Sequence, residues 1–148
     1  MYYVTINNKN FVVKDYDGTF HTRTGYNDVS SLVIGEKVIL GLSSESSILT
    51  SPIKKFYICQ GCTPKQAIIL TKNSLYMPEF LFNKKIRQYD RMRRVLPVTY
   101  GEGQKLVYEL EAGSNVLRTS VVSRVFDDGK LVNPIIETNN SVYIPTFY

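Results

Sequence analysis

At 148 residues with 43% hydrophobic and 21% charged positions, the chain has a globular composition, long enough for one ordinary domain or two very small ones. No stretch of about 18 or more apolar residues occurs and no basic-then-apolar signal opens the sequence, which excludes a helical membrane span and leads us to expect a soluble, cytoplasmic chain. A formal net charge of +5 directs attention to polyanionic partners.

Residues 1–34 are expected to form an N-terminal hairpin extension. Tyr2, Val4 and Ile6 alternate along a strand, Asn7-Asn8-Lys9-Asn10 supplies turn chemistry, and Phe11-Val12-Val13 is rich in β-formers. A second turn follows at Asp17-Gly18, and residues 19–24 can add a short strand.

From Gly35 onward the chain contains one module twice. Gly35-Glu36-Lys37-Val38-Ile39-Leu40-Gly41-Leu42 aligns with Gly103-Gln104-Lys105-Leu106-Val107-Tyr108-Glu109-Leu110, and residues 46–53 with 114–121. After a shift of one residue, Thr71-Lys72-Asn73-Ser74-Leu75-Tyr76-Met77-Pro78 aligns with Thr138-Asn139-Asn140-Ser141-Val142-Tyr143-Ile144-Pro145. Two similar supersecondary units in one chain are therefore expected. In the first, Val38, Leu40 and Leu42 share one face of a strand and Ile39 takes the other. A long strand over 48–58 matches another over 116–126, and two short strands close each module at Pro78 and Pro145, because proline cannot continue a ladder. Asn73 and Asn140 stand where a tight hairpin asks for positive φ.

A glycine-led strand, a loop, a long strand and a tight hairpin outline a small bent barrel. The Gly35-Glu36-Lys37-Val38 and Gly103-Gln104-Lys105-Leu106 starts and the Thr-x-Asn-Ser-x-Tyr hairpins resemble SH3-like barrels, including the Tudor and KOW groups, over about 35–80 and 103–148. The chain is also similar to small basic early modulators of T4-type phages. These resemblances imply a mainly β protein of two tandem SH3-like small barrels, over 35–82 and 98–148, whose relatives bind nucleic acid, histone tails or proline-rich peptides.

Between the repeats, residues 83–97 read as a basic amphipathic helix. At 100° per residue Phe82, Ile86, Tyr89, Met92 and Leu96 fall on one side, and Lys84, Arg87, Arg91 and Arg94 on the other. Asn83 suits an N-cap and Pro97 a stop. Lys84, Lys85, Arg87, Arg91, Arg93 and Arg94 against Asp90 carry a charge equal to that of the whole chain, so these six are the candidate nucleic-acid-binding residues. A solvated linker face is the bland alternative. Lys54, Lys55, Arg118 and Arg124 could extend the footprint.

Other signals are weaker. Cys59-Gln60-Gly61-Cys62 has the spacing of half a zinc site or of a thiol pair, but the matching turn Asp127-Asp128-Gly129-Lys130 has no cysteine, and two ordinary turn cysteines are the expectation. His21 is the single histidine, with no catalytic constellation around it. Tyr76 and Tyr143 recur as core or rim residues. The reading is thus a non-enzymatic regulator that binds nucleic acid, most simply duplex DNA with little sequence preference, with no cofactor, metal or membrane. The alternative is an adaptor or inhibitor whose barrels grip a host protein or peptide.

Overall fold

A computed structural model describes residues 2–6, 9–59, 61–89, 95–96, 105–109, 116–130 and 134–145. About half the chain is strand, 51%, and the described residues hold no helix of seven residues or more, so the protein is mainly β. In chain order the strands are β1 (Tyr2–Ile6), β2 (Lys9–Tyr16), β3 (Phe20–His21), β4 (Ile39–Gly41), β5 (Ser47–Leu49), β6 (Lys55–Cys59) and β7 (Gln66–Leu70). They continue with β8 (Ser74–Pro78), β9 (Lys85–Tyr89), β10 (Val95–Leu96), β11 (Lys105–Glu109), β12 (Val116–Asp127), β13 (Ile135–Thr138) and β14 (Ser141–Pro145). Single 3-10 turns occupy Val29–Ser31 and Glu79–Leu81.

The duplication is carried by sheet order. The main sheet runs β1-β2-β8-β7-β6-β12-β13-β14-β9, with β11 attached to β12 and β10 to β11, and eight of its strands curl into a half-barrel. About the β6–β12 seam, β7, β8 and β2 on one side answer to β13, β14 and β9 on the other. In each half the outermost of these pairs is parallel, β2 with β8 and β14 with β9, while the inner pairs are antiparallel. The duplicated topology therefore reaches β2 and β9, which lie in the expected extension and linker.

A three-stranded sheet, β3-β4-β5, repeats the arrangement of β10, β11 and the start of β12. Phe20 pairs with Leu40 as Val95 pairs with Tyr108, and Leu40 and Tyr108 are matched positions of the sequence repeat. The halves differ after this point. β12 runs unbroken for 12 residues with an irregularity between Val122 and Arg124, whereas its counterpart is split into β5 and β6. Pro52 explains the split, since it has no N–H for a ladder. Around it the chain changes partners: Thr50 N–H donates to Val38 O at 2.9 Å, and Lys54 N–H donates to Leu70 O at 2.8 Å.

Two tandem SH3-like barrels are not shown among the described residues: one sheet spans both halves. The halves join through Phe126 opposite Cys59 and Asp127 opposite Ile58, and they share a core. Tyr57, Ile68, Leu70 and Met77 of one half pack with Phe126, Ile135, Val142 and Ile144 of the other. Each such side chain contributes about 1.5–3 kcal/mol on leaving water. On the opposite face of the first half, Tyr16, Ala67, Ile69 and Tyr76 are covered by Phe20 and Leu40 of the small sheet and by Val38 just before β4. Buried on both faces, β7 and β8 read as nearly continuous apolar runs.

The expected helix is also corrected. Residues 85–89 are a strand, with Ile86 opposite Val142 in parallel register. Ile86 packs against the shared core while Lys85 and Arg87 are exposed. Five residues are too few to separate a period of two from one of 3.6, and pairing with β14 decides the outcome. Nor do Asn73 and Asn140 adopt positive φ: among described non-glycine residues Asn27 and Glu45 do. The first hairpin is closed instead by Thr71 N–H donating to Ser74 O at 2.9 Å.

Candidate functional site

The six candidate cations do not form one ridge among the described residues. The Lys84 ammonium donates to Thr138 O at 2.7 Å and lies 3.3 Å from Glu137 Oε2. Arg87 Nε donates to Ser141 Oγ at 3.3 Å. Lys85 and Arg87 project from β9 and are exposed, whereas Arg91, Arg93 and Arg94 lie outside the described residues. The extended footprint is largely engaged as well. Arg124 donates to both oxygens of Glu137, at 2.8 and 2.6 Å, and its guanidinium sits 4.7 Å from the Phe80 ring centroid. Lys55 pairs with Asp128 at 3.0 Å, and Lys54 is exposed. The Arg118 side chain is outside the described set.

Asp128 shows how such pairs are held. Burial pushes its carboxyl up, but hydrogen bonds from Lys55 and the Lys130 amide, with the Lys55 charge, outweigh that effect and leave it below the usual carboxylate range.

A groove opens where the small sheet stops covering the main one. Val13, Lys14 and Asp15 come from β2, Tyr76 from β8, Ile48 from β5, Leu42 from the loop after β4, and Phe82 from the end of the second 3-10 turn; together they line about 300 Å³. Parallel pairing sets Lys14 opposite Tyr76, and the ammonium lies 5.8 Å from that ring centroid. This is near the outer limit for attraction to a π face. Neither Lys14 nor Asp15 has an ion-pair partner among the described residues. Leu42, Ile48, Tyr76 and Phe82, with Lys14 and Asp15 beside them, suit a ligand with an apolar tip and polar flanks.

The other sequence candidates fall elsewhere. His21 packs edge-on to Tyr26, with centroids 5.4 Å apart and planes at 67°. Cys59 and Cys62 are joined by a disulfide, Cα atoms 5.5 Å apart, which the sequence reading did not expect. No group of three or more His, Cys, Asp or Glu suited to a metal occurs among the described residues, and no helix there is long and apolar enough to cross a membrane. Tyr76 was legible as a repeated aromatic. Lys14 carried no signal and Phe82 was read only as part of an apolar helix face, because the groove is assembled by strand pairing between distant segments.

Fold and groove define a mainly β protein with a half-barrel sheet and a mixed apolar and charged cleft. Compared with protein-family models, curated proteins and solved structures, the chain matches none.

Proposed function

We propose that the protein is a non-enzymatic interaction module that takes a segment of a partner protein into the groove between its sheets. The segment carries a large apolar side chain beside an acidic one. The apolar group enters the space bounded by Val13, Leu42, Ile48, Tyr76 and Phe82, the acid meets Lys14, and Asp15 accepts a backbone N–H. The carrying observation is the Lys14 ammonium over Tyr76 at an apolar cleft, with no ion-pair partner among the described residues. A chain of net charge +5 favours an acidic partner. The proposal places both in the cytoplasm, with the protein as adaptor or inhibitor.

The second reading, duplex DNA bound with little sequence preference by a regulator of host transcription, rests on the exposed Lys85 and Arg87 and on the charge density of the segment that follows. One experiment separates them. Short acidic peptides with a central Leu or Phe, their Lys-substituted versions and a 20-base-pair duplex are titrated by fluorescence anisotropy at several salt concentrations. The groove reading expects binding to the acidic set, lost in Lys14→Glu. Duplex binding with a steep salt slope, unchanged in Lys14→Glu, together with no peptide binding, overturns it.

A further inference from the structure

The disulfide between Cys59 and Cys62 lies apart from the groove. Four observations set it apart from a structural staple. It closes a loop of four residues, so it constrains the unfolded chain little. The corresponding turn after β12 is closed without it, by Asp127 Oδ1 accepting from the Gly129 N–H at 2.7 Å and Asp128 Oδ1 accepting from the Lys130 N–H at 3.0 Å. The two cysteines are unequally placed: Cys59 is fully buried in the shared core, while Cys62, packed against that core from the turn, is only half-buried. Finally, Cys59 is one of the two β6 residues that pair across the seam, opposite Phe126.

We infer that Cys59–Cys62 is a thiol–disulfide exchange site whose substrate class is a vicinal dithiol, with Cys62 as the sulfur attacked. A thiolate of the dithiol bonds to Cys62 Sγ, the Cys59–Cys62 bond breaks, and its electron pair leaves on Cys59 Sγ, which takes up a proton. The second thiol of the reductant then attacks its own sulfur in the mixed disulfide and releases Cys62 as a thiol. Two electrons and two protons pass to the protein, and the reductant ends as a disulfide. Burial directs the reaction, because an attacking sulfur must approach along the S–S axis and of the two residues only Cys62 is partly exposed. The same asymmetry keeps Cys59 away from other thiols and favours return to the disulfide. A bond of this kind suits a reducing compartment, where disulfides are transient rather than structural.

The test needs no partner protein. Full-length chain, isolated without reductant, is treated under native conditions with dithiothreitol, quenched in acid, alkylated and mapped by mass spectrometry. The expected results are no alkylation before treatment and both cysteines labelled after it, with circular dichroism unchanged. In single variants exposed to oxidised glutathione, Cys62 in Cys59→Ser should form the mixed disulfide at least about tenfold faster than Cys59 in Cys62→Ser. Free thiols in the untreated protein, resistance to dithiothreitol until the chain unfolds, or equal rates in the two variants would each overturn the assignment. Circular dichroism of each variant reports its fold, and where a variant fails to fold the wild-type arm, which carries no substitution, still decides whether the bond exchanges under native conditions.

Discussion

Arg124 and Glu137 face each other across β12 and β13, and the arginine Nη1 lies 2.8 and 2.6 Å from the two oxygens of a carboxylate that is 1% exposed. Lys84 completes the arrangement at 3.3 Å, so one buried charge ties the end of the first half to two strands of the second. The arrangement also engages Lys84, one of the six candidate cations, in contacts within the protein.

Removing one member of this group strands the rest. Arg124→Ala leaves the buried carboxylate with Lys84 alone and is expected to destabilise the fold by about 3 kcal/mol, read from urea midpoints. Replacing the buried charges by apolar groups in Lys84→Met/Glu137→Leu should cost far less, within about 1 kcal/mol of wild type, because it removes the desolvation cost as well. In the aligned hairpins Leu70 occupies the place of Glu137, so an apolar side chain fits the fold there.

Sharing one core makes the halves unfold together. Calorimetry should show a single transition, and Phe126→Ala should lower it as a whole at a cost of about 3–5 kcal/mol. Two separable transitions would mean that the halves fold independently.

Gly41 is required by a close approach. A Cβ there would meet the Thr19 hydroxyl first and stand 2.7 and 2.8 Å from the two carboxylate oxygens of Asp17, whose Oδ1 accepts from the Thr19 N–H at 2.8 Å. Gly41→Ala should cost about 1–3 kcal/mol, and adding Asp17→Ala should recover part of it in thermal melts.

Asp128 sets an acid-side dependence. Its carboxyl is held low in the folded protein, so its contribution is present above the unfolded value near 3.9 and is lost as pH falls through the folded one. Asp128→Asn is expected to lose about 1 kcal/mol at neutral pH and to converge with wild type in strongly acid solution, measured by denaturation across pH.

Much of the strand content was legible. The paired hairpins after Gln66 and Ile135, the stops at Pro78 and Pro145, and the inward Val38 and Leu40 with outward Ile39 follow from alternation and proline chemistry alone. What alternation does not encode is which strand lies beside which. The parallel pairings of β2 with β8 and β9 with β14 join segments about 60 residues apart. The first of them builds the groove wall, and the second turns an apparent helix into a strand. Once Ile86 is drawn to Val142, Lys85 and Arg87 stand on a strand, and Arg91, Arg93 and Arg94 of the same basic run lie outside the described residues.

Amide chemical-shift mapping of the full-length protein during titration with an acidic peptide bearing a central Leu tests the functional account most directly. The account predicts shifts concentrated at Val13, Lys14, Asp15, Leu42, Ile48, Tyr76 and Phe82, abolished in Ile48→Asp. Shifts confined to β9 and the residues after it, or equal shifts in Ile48→Asp, would contradict it.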